Sequence, residues 1–230
     1  DLLRLCSNFS DMKFIIFTNL EDTPIDEYIF DVIPENVLCI SAVNAVAHGG
    51  KVIPSPYGIQ RAMNPNDDRI ETMTKYSEIA NTQKSDMHTW LLYISHNEKS
   101  HLDRFGIKEH FDRYYWDWVR VDRQRCIIYE HFLGTIRLSK FVLCPRGNAI
   151  DCHRNWEVLY MRRVPVMKRD PYFETLFKDY PVLFVDSYFD ITKELLIENN
   201  YLYQQAQTMD LSGLTLPYFY NKIVEDGLSQ

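Results

Sequence analysis

Apolar residues in this chain come in short runs of strand length, and most runs end at polar, proline or glycine residues. Runs bounded in this way predict buried strands. Residues 13–19 (KFIIFTN) read as a first strand that closes in a polar loop. Residues 37–43 (VLCISAV) read as a second, and 51–53 start a third. A short helix fits 25–34, stopped by Pro34, and 45–50 read as a loop or short helix. The PSPYG run at 54–58 is a turn. Residues 64–85 are polar: NPNDD at 64–68 predicts a loop, and helical character follows around 68–80.

A second series starts with a strand at 89–95 (TWLLYIS) and a polar loop at 95–100. It continues with a helix near 101–110, a short strand at 118–121, a helix at 129–138 and an apolar strand at 141–144. A glycine turn, a helix opening near His153, and strands at 164–167 and 182–185 follow. A helix at 190–206 and an aromatic, helical tail at 214–230 close the chain. No internal repeat is visible.

Strands alternating with helices predict an α/β fold with parallel sheets. The polar stretch near 64–86 splits the pattern into two Rossmann-like halves. The expected domains are 1–86, 87–206 and a helical tail, 207–230, packing on the first. In such sheets ligands bind beyond the C-terminal strand ends, and the candidate motifs all fall on that edge.

Composition narrows the picture. A hydrophobic fraction of 46% and an aromatic fraction of 14% suit a packed globular protein. No apolar run approaches the roughly 20 residues of a membrane span. The net charge of −7 gives no general footprint for nucleic acid. Arginine clusters near 120–125 and 162–163 suit a small anionic ligand or an ordinary solvated surface. The five cysteines (Cys6, Cys39, Cys126, Cys144 and Cys152) include no CxxC pair. They read as small hydrophobes in a reducing compartment, without a structural disulfide. No signal peptide is visible. The sequence opens at Asp1 without a Met, so an upstream targeting or anchoring segment stays open.

Residues 138–167 hold the densest chemistry. The apolar strand at 141–144 predicts a central position. Pro145 ends its ladder, and Gly147 lets the backbone turn without a Cβ clash. Asp151 reads as a helix N-cap. His153 and Glu157, four apart, share a face, and Arg154 adjoins Glu157. Trp156, Leu159 and Tyr160 form the core side, leaving a polar stripe toward the strand-end cleft. Arg146, Gly147 and Asn148 in the turn, with His153 and Arg154 at the helix opening, place cations and backbone N–H groups where a diphosphate binds well. The simpler alternatives are a surface ion pair for Arg154–Glu157 and a capping or packing role for His153.

The pattern PRGN-x-x-D-x-H-R-x-W-E-x-L-x-x-x-x-V-P-V resembles the donor-binding motif of exostosin-like glycosyltransferases of the GT-B type. That resemblance implies two facing Rossmann-like domains with the C-terminal helix crossing back. It also implies a diphosphate held by an Arg and a helix N-terminus, and ribose hydroxyls held by a Glu. Arg146, Gly147, His153, Arg154 and Glu157 match, with Asn148 in the same turn. LYISHN at 92–97, followed by Arg104, is similar to the strand and loop that open the family's C-terminal domain. Asn97 and Arg104 are therefore further donor-site candidates, although a capping loop with a surface Arg fits them too. FTNLED at 17–22 is similar to a first-strand loop that lines the acceptor cleft, and VIPSPYG at 52–58 resembles an inter-domain turn. The closest look is to small free-standing members, such as those of large algal viruses, some of which add xylose in the cytoplasm.

The resemblance implies an inverting sugar transfer from a nucleotide diphosphate donor, UDP-linked by default and UDP-xylose as one case, to a glycan or glycoprotein. It implies a cytoplasmic location, in the host cell if viral. No Asp-x-Asp is present, so Arg104, Arg146 and Arg154 would meet the leaving charge without metal or other cofactor. Asp22 is the candidate base, or else a helix-capping Asp. Asn19, Glu21 and His48 are acceptor-side candidates, with His48 as reserve base. Asp67 and Asp68 read as turn residues. Rival readings are a non-catalytic carbohydrate-binding or scaffold protein on the same fold and a nucleotide-binding regulator. A Rossmann oxidoreductase would want G-x-G-x-x-G, and a metal enzyme HExxH or a Cys/His set; neither occurs.

Overall fold

The computed structural model describes residues 2–18, 22–59, 68–82, 89–113, 116–123 and 128–229. Within them the chain is α/β, with two parallel sheets of three and five strands, consistent with a two-domain Rossmann-like arrangement.

The first sheet follows helix α1 (Leu2–Ser7) and holds β1 (Phe14–Thr18), β2 (Val37–Ala42) and β3 (Val52–Pro54) in the order β1-β2-β3. A four-residue helix, α2 (Ile29–Val32), lies between β1 and β2. β2 is the central strand and the most buried, as its mostly apolar run requires. Helix α3 (Arg69–Thr82) follows. It packs toward the second sheet's helices: Ser77 Oγ donates to Tyr160 O at 3.4 Å, and Met73 Sδ accepts from Tyr129 Oη at 3.5 Å.

The second sheet holds β4 (Trp90–Ile94), β5 (Val119–Val121), β6 (Ser139–Leu143), β7 (Val164–Lys168) and β8 (Leu183–Val185), ordered β5-β4-β6-β7-β8. Helices α4 (Ile107–Asp112), α5 (Tyr129–Arg137), α6 (His153–Tyr160) and α7 (Pro171–Leu176) connect the strands. Helices α8 (Lys193–Glu198), α9 (Asn200–Thr208) and α10 (Leu216–Leu228) end the chain. Both faces of this sheet are covered. Leu92, Ile94, Phe141, Leu143, Val164 and Val166 point into one apolar cluster. Tyr93, Val142, Cys144 and Met167 point into the other, which also contains Val37, Cys39 and Ile40 of β2. The period-two alternation of a strand divides its residues between these cores, and one core joins the two sheets. α10 lies against β2, where Cys39 Sγ is 3.7 Å from Ile223 O.

Several local expectations change. The helix expected at 101–110 starts late: 3₁₀ turns at Glu98–Ser100 and Leu102–Arg104 precede α4, whose N-cap Gly106 sits at φ 75°. The helix expected at 190–206 is broken at Asn199 into α8 and α9. α1 and α7 were not legible in the pattern. Asp151 is not the cap of α6; Cys152 occupies that position. The polar stripe expected on α6 is less open than expected, with His153 and Arg154 half-buried and Glu157 buried. Among the described residues no helix is long and apolar enough to cross a membrane. Cys6, Cys39 and Cys144 are buried and Cys152 is half-buried, all as free thiols; Cys126 lies outside the described residues.

Candidate functional site

Chain order reverses between β4 and β6. From β4 the chain steps to β5 on one side, then returns to pair β6 on the other. A parallel sheet binds ligands at such a switch point, beyond its C-terminal strand ends. The loop after β4 carries Ser95, His96 and Asn97, and the loop after β6 carries residues 144–148.

Arg104 ties these two loops together. Its guanidinium donates to Pro145 O at 2.9 Å, to Arg146 O at 2.7 Å and to Asn97 O at 3.3 Å. A planar fork suits three carbonyls at fixed angles. The side chain is buried, and burial followed by repulsion from Arg154 pulls its pKa down. Gly147 follows from the same packing. It does not adopt positive φ; instead a Cβ there would lie 3.2 Å from Arg104 Nη2. Asn97 Oδ1 accepts from Lys99 N at 3.1 Å and caps the first 3₁₀ turn. Arg104 and the Asn97 side chain therefore hold the loops, and Asn148 is exposed at the tip.

Inside this frame, donors outnumber acceptors. Arg154, on the first turn of α6, lies over the Phe132 ring at 5.4 Å, and Nε of both Arg154 and Arg146 is buried with no hydrogen-bond partner. His96 is 4% exposed. One ring nitrogen, Nε2, lies 3.3 Å from Arg104 O, and the other, Nδ1, has no partner. Burial, then the charges of Arg154, Lys108 and Arg104, push its pKa down to about 3. Lys108, on α4, is likewise shifted down by burial, with Glu98 opposing and Arg154 reinforcing. Four cationic side chains thus border one loop pair, and a small anion would match them.

Glu157 Oε1 accepts from Tyr129 Oη at 2.9 Å on the same helix face. Tyr93, on β4, donates to Asp122 Oδ2 at 2.5 Å, and its pKa is raised chiefly by burial.

The other side of α6 is built differently. Asp151 is fully buried, and its carboxylate accepts four hydrogen bonds. They come from Tyr57 N and Trp156 Nε1 at 2.7 Å, and from Cys152 N and Asn155 Nδ2 at 2.8 Å. Its own N–H donates to Asn44 Oδ1 at 3.0 Å; Asn44, at φ 58°, in turn donates its N–H to Tyr172 Oη at 3.1 Å. Burial raises the Asp151 pKa to about 6 against the pull of these donors. A carboxylate thus already sits at the opening of α6. An anion there would consequently draw on side-chain cations more than on the helix dipole.

His153 turns toward the first sheet: Nδ1 lies 2.7 Å from Gly58 O, and its ring meets the Tyr57 ring edge-on at 4.4 Å. Tyr57 Oη donates to Asp22 Oδ1 at 3.1 Å. The exposed Asp22 is therefore one tyrosine away from the opening of α6. His48 lies apart, bound to Val46 O and to Thr175 Oγ1 of α7, both at 3.0 Å. Asn19, Glu21 and Asp67 fall outside the described residues. Among the described residues no group of three or more His, Cys, Asp or Glu is placed to hold a metal ion.

Sequence reasoning brought Arg104, Arg146, Arg154, Glu157 and Asp22 to this region. It missed His96, Lys108, Tyr57 and the satisfied state of Asp151. His96 had one available signal: it directly follows a strand's C-terminal end. No known family profile matches the chain, and no curated protein matches it.

Proposed function

We propose that the chain is a GT-B glycosyltransferase that holds a nucleoside diphosphate sugar, UDP-linked by default, between the loops after β4 and β6. Its acceptor is a glycan hydroxyl. The observation that carries the reading is the unspent donor capacity there: buried Nε of Arg146 and of Arg154, with Lys108 and Arg104 close enough to shift His96. A diphosphate supplies acceptors of the right charge and size. A groove of about 1100 Å³ runs along the edge strand β5, lined by Trp90, Val119, Val121 and Asp122, and leaves a base room on that side of the sheet. The buried Glu157 offers a carboxylate to ribose hydroxyls.

In the proposed step, the acceptor oxygen attacks the anomeric carbon and passes its proton to Asp22. The bond from that carbon to the diphosphate oxygen breaks, and the diphosphate leaves with the electron pair. Its growing charge meets Arg146 and Arg154, with no metal required. Inversion at the anomeric carbon follows from this single displacement. Tyr57 supports the assignment by holding Asp22 at 3.1 Å while its own ring packs on His153.

The test is sugar-nucleotide turnover, measured as release of free diphosphate from UDP-xylose, UDP-glucose and UDP-N-acetylglucosamine, with and without EDTA. The expected result is EDTA-resistant turnover of one donor that falls 10²–10⁴-fold in Asp22→Asn, the size of a lost general base. Binding of diphosphates without turnover of any donor, with or without glycan acceptors, would leave a nucleotide- or carbohydrate-binding protein instead.

A further inference from the structure

The cationic cluster contains one atom of opposite habit. His96 Nε2 faces a backbone carbonyl, Arg104 O, at 3.3 Å. A carbonyl only accepts, so Nε2 carries the hydrogen, and in the neutral ring Nδ1 is then an acceptor. Protonation of Nδ1 is opposed by burial and by Arg154, Lys108 and Arg104 around it. His96 is more than nine-tenths buried, and Nδ1 has no partner. An orphaned acceptor of this kind is costly unless a ligand or water supplies a donor.

Ionised phosphate oxygens cannot be that donor, because they only accept. They match Arg146 and Arg154 instead. The group opposite Nδ1 must carry O–H or N–H, and with Arg154 and Lys108 beside the ring it would neighbour the diphosphate of the donor-site reading. Ribose hydroxyls have their own acceptor in Glu157, one turn along α6 from Arg154. We propose that His96 Nδ1 reads a hydroxyl of the transferred sugar and so makes the pocket discriminate a sugar nucleotide from its bare diphosphate. This rests on the donor-site reading above.

Two amide substitutions separate the ring's two nitrogens. Gln at 96 reproduces the Nε2–H donor but loses the acceptor. Asn reproduces an acceptor at the Nδ1 position but loses the donor. Calorimetric titration with UDP and with the turned-over UDP-sugar, on intact chain, His96→Gln and His96→Asn, reads the ratio of the two affinities. The expected result is a loss of UDP-sugar affinity in His96→Gln at least fivefold greater than its loss of UDP affinity, with the intact chain's ratio restored in His96→Asn. An unchanged ratio in His96→Gln would overturn the role of His96 while leaving the diphosphate site standing. Failure of the folded intact chain to bind UDP at all would overturn the site itself.

Should either variant fail to fold, the intact chain carries the test with deoxyfluoro analogues of the sugar, since fluorine cannot donate. One position is expected to cost at least fivefold in affinity. Equal affinity for every analogue would overturn the proposal. A matching loss with 2′- or 3′-deoxy-UDP, and none with the sugar analogues, would assign Nδ1 to ribose and likewise overturn it.

Discussion

Asp151 and Arg154 lie three residues apart at the opening of α6, and the difference between their surroundings separates architecture from chemistry. Asp151 is a buried acid whose carboxylate accepts four hydrogen bonds, two from backbone and two from side chains, one of them from across the sheet-to-sheet boundary. Arg154 sits beside Lys108, Arg104 and His96, with its Nε buried and unmatched. A satisfied buried charge is a finished joint. An unsatisfied cluster at a strand-end switch point is where the proposed function puts its anion.

The contrast predicts opposite responses to substitution. The largest effect belongs to Asp151→Asn. Its amide NH₂ would face two donors, and chemical denaturation is expected to show a loss of about 3 kcal/mol. The pH dependence gives a second handle. The Asp151 pKa is raised from 3.8 to about 6. Between these values the folded state holds the proton and the unfolded state does not. Its contribution therefore falls as pH rises through that window, by about 3 kcal/mol in all. His96, depressed from 6.5 to about 3, acts with the opposite sign and favours folding as pH rises. The curve for the intact chain minus that for Asp151→Asn isolates the acid and is expected to slope downward from about pH 4 to 6.

Arg104→Lys comes next. Lysine cannot span three carbonyls, so about 2 kcal/mol of stability and most diphosphate affinity are expected to go together. Arg154→Ala breaks only the binding side: at least a tenfold loss of UDP affinity, about 1.4 kcal/mol, with a smaller change in melting. Tyr57→Phe is the mildest. It removes the hydroxyl on Asp22 but keeps the backbone donor to Asp151, so stability should change by less than about 1 kcal/mol while turnover falls.

The sequence made the apolar strands legible, because β4 is a continuous hydrophobic run and β2 and β6 are mostly apolar, which burial explains. It also exposed the Arg146–Glu157 segment, where turn, cations and carboxylate fall within a dozen residues. The rest depended on partners far apart in the chain. Nothing local ties Tyr57 to Asp151, 94 residues on, or Arg104 to Pro145 and Arg146, about 40 residues on. Asp151 before a helix looks like any cap. Only the fold shows that Trp156 and Tyr57 reach back to it. His96 resembled a loop polar residue until its burial made one nitrogen conspicuous.

The most direct measurement is calorimetric titration of the intact chain and Arg154→Ala with UDP, GDP and CDP, with EDTA present and absent. The account predicts one-site binding of a diphosphate that survives EDTA and weakens at least tenfold in the variant. A well-folded chain that binds none of the three, or binds equally well without Arg154, would contradict it.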